Sequence, residues 1–91
     1  MTGEEFVRLC FGEKEAVLQE YLSPESEAKA SVLIRELVRC GADQKKLHEL
    51  LDTVMTESWY TMLLALDGEA SLGGEQITYR LYDEDNNHLN P

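Results

Sequence analysis

Two histidines, two cysteines and an aspartate-rich loop are the side chains of this 91-residue chain whose types could do chemistry. His48 and Asp52 stand four apart, so on a helix they share a face and could hydrogen-bond or share a metal. No second ligand set such as HExxH accompanies them, and the pattern reads as a surface pair. Asp83-x-Asp85-x-Asn87 supplies the first three ligand positions of a calcium loop. The sixth position, glycine in such loops, is His88, so the stretch reads as an Asx-rich turn. Gly68–Gly74, GEASLGG, is glycine-rich, but it follows a helical pattern and no Lys-Ser/Thr comes after it. It reads as a flexible turn and not as a phosphate loop.

Covalent catalysis needs a nucleophile with a base in reach. Ser58 and Thr61 have no histidine at helical spacing, and Ser71 lacks the G-x-S-x-G setting. Cys10 and Cys40 fall inside apolar helical patterns, where a thiol is a poor thiolate and a reduced core residue. The expectation is therefore a protein without catalytic residues, metal ligands or a cofactor site.

Charge carries more information. Eighteen acids against eight lysines and arginines give a net charge of −10. Residues 1–27 hold Glu4, Glu5, Glu13, Glu15, Glu20, Glu25 and Glu27 against Arg8 and Lys14. Residues 67–91 hold Asp67, Glu69, Glu75, Asp83, Glu84 and Asp85 against Arg80. The span 28–66 has five of each sign and is neutral. Nucleic acid is not expected as a partner, because phosphate binding needs clustered lysine and arginine. A basic protein partner is favoured by steering and charge complementarity. The longest apolar runs are too short for a membrane helix, which takes about 20 such residues. Glu4 and Glu5 stand where a signal peptide would carry basic residues, so a cytoplasmic location is expected.

These side chains need a scaffold. An apolar fraction of 43% in 91 residues fits one small globular domain over 1–91. The fold class expected is mainly α, a three- or four-helix bundle with a small C-terminal β-strand or hairpin (α+β is the variant). Gln44–Leu66 is the organising helix: Leu47, Leu50, Leu51, Val54, Met55, Trp59, Met62, Leu63 and Leu66 repeat at i, i+3, i+4, i+7. Asp43 is its candidate N-cap and Asp67-Gly68 its stop. Thr2-Gly-Glu-Glu5 reads as a capping box opening a helix over 3–22, with a break near Gly12. Ser23-Pro24 predicts the start of a helix over 24–39, with Gly41 as its left-handed C′ residue. The short link to the next helix predicts antiparallel neighbours. Residues 76–82, QITYRLY, alternate as a strand does, with no evident partner arm. Such a strand could pair with a short one at Ala70–Leu72, with its copy in a dimer, or with chain beyond residue 91, and pairing outside the chain is the expectation.

The expected core is Phe6, Leu9, Phe11, Val17, Tyr21, Leu33, Leu37, Leu50, Leu51, Val54, Trp59, Leu63 and Leu66. The functional expectation is a small acidic interaction domain, of the immunity or antitoxin kind, that neutralises a basic protein. Its partner-binding residues would be Glu4, Glu5, Glu13, Glu20, Tyr60, Tyr79, Tyr82, Asp83 and Asp85: acids for capture, tyrosines as anchors. The alternative is a structural or regulatory subunit that forms a homodimer through the 76–82 strand.

Overall fold

The computed structural model describes residues 1–90, and Pro91 lies outside them. Three helices follow one another: α1 Gly3–Leu22, α2 Lys29–Arg39 and α3 Gln44–Leu66. The remainder, residues 67–90, is built from turns.

At the start of α1 the Thr2 hydroxyl accepts from the Glu5 N–H at 3.1 Å. The helix then runs through Gly12 without the expected break. A Cβ at Gly12 would meet nothing within 4 Å, so this glycine lies on the open side of the helix and costs only intrinsic propensity. Gly12→Ala is therefore expected to stabilise the chain by about 0.5–1 kcal/mol, read from the urea midpoint.

The second boundary also departs from expectation. Ser23 caps the C-terminus of α1, its N–H donating to the Glu20 carbonyl at 3.1 Å. A helix starting at Pro24 would offer the Ser23 and Ser26 carbonyls to N–H groups four residues on. Both carbonyls instead accept from the Arg35 guanidinium, at 3.2 and 2.7 Å, and that of Ser23 also accepts from the Ser26 N–H at 3.3 Å. Residues 24–28 stay a turn, the Ser26 hydroxyl accepts from the Ala28 N–H, and α2 begins only at Lys29.

The ends of α2 and α3 follow the sequence reading. Past α2, the Gly41 N–H donates to Val38 and the Ala42 N–H to Leu37, with Gly41 at φ +101°. Past α3, Gly68 at φ +80° donates to Ala65 and Glu69 to Leu64. Both are Schellman closures. The Asp43 carboxylate accepts from the Lys45 and Lys46 N–H groups at 2.8 and 3.1 Å.

The packing corrects the sequence reading most. The element that the other two helices pack on is α1, not α3, and α2 touches α3 only slightly. Cys10, Lys14 and Leu18 form the buried line of α1. Lys14 reaches Asp52 on α3 at 2.9 Å, and Ser31 on α2 donates to the Glu20 carbonyl at 3.4 Å. Among the described residues the buried apolar ones are Cys10, Leu18, Ala65 and Leu89. Trp59 and Leu63 are half-buried as α3 lies along α1. Leu9, Leu33, Leu37, Leu50 and Val54, expected in the core, are 47–58% exposed. Each belongs to an apolar stripe, but no other element covers that part of the stripe.

The expected C-terminal strand is not formed. Leu72 and Glu75 exchange hydrogen bonds around Gly73 and Gly74, both at positive φ, a two-residue hairpin turn. Further on, the Leu89 N–H donates to the Leu81 carbonyl at 2.8 Å and the Asp83 N–H to that of Asn87 at 3.1 Å. The Leu81 N–H is taken by the Asn90 amide oxygen at 2.8 Å. A second arm thus exists, formed by His88–Asn90. It closes on the chain itself, so the backbone groups at Leu81 and Asp83 need no outside partner.

Candidate functional site

The hairpin-like segment 79–90 folds back against the N-terminal half of α1 and the C-terminal half of α3. Asn90 holds it there: its amide nitrogen donates to the Leu66 carbonyl at 3.0 Å and to the Tyr79 carbonyl at 2.8 Å. Leu89 is 7% exposed, and its carbonyl packs against Gly3 so closely that a Cβ there would overlap it. The absence of a side chain at Gly3 is what lets the two ends of the chain meet.

Between these three elements lies a groove of about 920 Å³. Phe6, Val7 and Phe11 of α1, Tyr60, Leu63 and Leu64 of α3, and Leu81 and Leu89 of the segment form its apolar lining. Glu4 and Asp67 stand on its walls. Tyr60 is 58% exposed, so its ring is presented rather than stored. Tyr82 stacks on His88, with ring centroids 5.0 Å apart and planes at 25°, and His88 also lines the groove.

The nine residues expected to meet a partner divide accordingly. Glu4 and Tyr60 line the groove, and Tyr82 joins it through His88. Glu5 lies exposed beside Glu4 in the first turn of α1, and Asp85 is exposed in the adjoining loop. Glu13 and Glu20 are exposed farther along α1 and do not line the groove. Tyr79 is half-buried, its carbonyl held by Asn90.

Asp83 serves its own loop. Its carboxylate accepts from the Asp85 and Asn87 N–H groups at 3.0 and 2.9 Å and from the Asn87 amide at 2.9 Å. The Met1 amino nitrogen lies 3.2 Å away. The Asn87 side-chain and backbone donors, above all, hold the carboxyl down at about 2. A depressed folded value means that the loop's stabilisation is complete above the ordinary carboxylate range and is lost as pH falls from about 4 through 2. The Asn87 amide resonance should therefore titrate with a midpoint near 2, and a midpoint at the ordinary Asp value would show the loop open.

Lys14 is the other titratable group that geometry marks out. Its hydrogen bond to Asp52 raises the ammonium and lowers the carboxyl; Glu15 adds a second contact at 3.3 Å. This pair joins α1 to α3 and is structural. His48 is exposed, and Asp52 pairs with Lys14. Both cysteines are free: burial pushes the Cys10 thiol up, while Cys40, expected in the core, is exposed at the end of α2. Among the described residues no cluster of three histidines, cysteines or carboxylates is gathered for a metal, and no helix is long and apolar enough to cross a membrane.

Comparison with protein-family models, curated proteins and solved structures gives no match.

Of the eighteen acids, only Glu15, Glu49, Asp52 and Asp83 are in ion pairs. The acids of the first turn of α1 and of the 83–85 loop come from opposite ends of the sequence, and the contact of Gly3 with Leu89 brings them to one end of the molecule. Sequence reasoning missed Asn90, His88 and the apolar wall Phe6–Phe11. One signal was available: Gly3, a poor helix former inside a capping box, hints at close approach by another backbone.

Proposed function

We propose that this chain is a non-catalytic interaction module that neutralises a basic protein, in the manner of an immunity or antitoxin-type protein. The observation that carries the reading is an apolar groove with unpaired carboxylates at its edge and Tyr60 presented in it. A basic amphipathic segment of the partner would place apolar side chains against Phe6, Val7 and Leu63. Its lysines or arginines would lie over Glu4, Glu5 and Asp67. Negative charge at the rim speeds encounter, and the desolvated apolar contacts slow release. Tyr60 suits an anchor because its ring adds contact area at low entropic cost while its hydroxyl stays wet.

The test uses a synthetic helix-forming peptide with leucines on one face and lysines on the other. Binding is expected to weaken as salt rises, and Tyr60→Ala is expected to weaken it about tenfold or more. Equal binding of a glutamate-faced peptide, or indifference to both salt and Tyr60→Ala, would overturn the reading.

A second reading, a self-associating subunit, rests on a different observation. Within 76–82 the Leu81 N–H and carbonyl are bonded inside the chain, which leaves that edge less to offer a second copy. The exposed stripes of α2 and α3 provide another route.

A further inference from the structure

In α2 the direction of burial and the direction of the apolar stripe disagree. Its deepest residue is Ser31, fully covered against α1, while Leu33 and Leu37 stand 47% and 51% exposed. With 100° per residue, Ala30, Leu33, Ile34, Leu37 and Val38 form one stripe, centred about 100° away from Ser31. In α3, residues Leu47, Leu50, Leu51 and Val54 form a stripe distinct from the Asp52–Met55–Trp59–Leu63 side. Leu50 and Val54 are 58% and 51% exposed. The two stripes meet across a cleft of about 350 Å³ where Ile34 and Val38 face Leu47. A continuous apolar surface therefore runs over two helices that touch each other only slightly.

We infer that this surface is covered by a second copy of the chain. In the assembly α2 of one copy lies on α3 of the other about a two-fold axis, and the four helices close a shared core.

Three observations choose a second copy as the occupant. The first is charge: the span 28–66 is neutral, so the stripes have nothing to offer a basic partner and face each other without repulsion. Within it, α2 carries Lys29, Arg35 and Arg39 against Glu36, and α3 carries Glu49, Asp52 and Glu57 against Lys45 and Lys46. The helices thus have opposite net signs, which favours α2 on α3 over α2 on α2. The second is area: the chain exposes 6849 Å², where a folded monomer of its mass exposes about 5,400 Å². The excess exceeds the ~800 Å² per partner of a standard interface. The third is shape: the radius of gyration is 16.5 Å, against about 12 Å for a compact domain of this length. Pairing across the splayed helices fills that deficit, and the acidic ends 1–27 and 67–90 stay outside the contact.

The experiment is sedimentation equilibrium of the full chain over a concentration series at low and high salt. The expected result is a mass twice 10.4 kDa, with dissociation on dilution and a tighter dimer at high salt, because salt screens the repulsion between two acidic copies. Leu37→Glu and Leu50→Glu should each weaken the dimer about thirtyfold or more while circular dichroism keeps its helical signal. A strict monomer at high concentration overturns the inference on wild-type chain alone. So does a dimer indifferent to both variants, or open-ended growth in place of a closed pair. Capture of a basic peptide has the opposite salt dependence and depends on Tyr60, so either idea can fail without the other.

Discussion

Leu18→Ala is expected to lower the unfolding free energy by about 2–5 kcal/mol, the largest effect of any single truncation in this chain. Leu18 is 0% exposed and, among the described residues, one of four buried apolar ones. It sits on α1, the helix on which both others rest, one turn beyond Lys14. A domain of this size holds about 5–15 kcal/mol in all, so the loss would be a large share of it. Leu9→Ala serves as the comparison. Leu9 lies nine residues back, about 180° round the helix, and is 54% exposed, so its truncation should cost well under half as much. Urea unfolding of both variants at one fixed chain concentration decides the matter, since association would add its own stability. Equal losses would mean that α1 is not the element at the centre.

Gly3→Ala is expected to destabilise the chain by about 1–3 kcal/mol, although alanine is the better helix former by up to about 1 kcal/mol. The two effects oppose, and the contact decides. A Cβ at position 3 would overlap the Leu89 carbonyl, which is backbone and cannot swing aside as a side chain would. Moving residue 89 exposes a leucine that is now covered and strains the Asn90 bonds to Leu66 and Tyr79. Hydrogen exchange should report it locally: the Leu81 and Leu89 amides should lose protection while those in the middle of α3 keep theirs. Gly12→Ala has the opposite expected sign, because nothing lies within 4 Å of that position. A pair of glycine-to-alanine changes in one helix with opposite outcomes would localise the cause to the docked segment. If Gly3→Ala proved stabilising, the groove described above would lose one of its walls.

Much of the local structure was legible because its causes are local. Asp43 caps α3 through bonds to the next two N–H groups it can reach, and Gly41 and Gly68 adopt the left-handed turn their position requires. Those forces act within five residues, so a reading of neighbours suffices. The Asp83–Asn87 turn was legible for the same reason. The start of α2 was not, because Arg35, several residues downstream, takes the carbonyls that would have supported an earlier start. The strand expected over 76–82 failed likewise: alternation announces which residues could share a face, whereas Leu89, Asn87 and the Asn90 side chain decide where the backbone groups go.

By itself the sequence determined the helical character of three segments, the first cap of α1, both caps of α3 and the closure of α2 at Gly41, and an acidic charge placed at both ends of a neutral middle. Tertiary structure alone decided which stripes are covered. Periodicity placed Leu37 in the expected core and left Leu18 out of it, but the path of α1 between its two neighbours leaves Leu18 at 0% and Leu37 at 51% exposure. It also decided that residues from the two chain ends should frame one groove, because that depends on Gly3 yielding space to Leu89. Helical patterns are written in neighbours three and four apart, while burial depends on elements tens of residues away, and no local spacing encodes which of them will arrive.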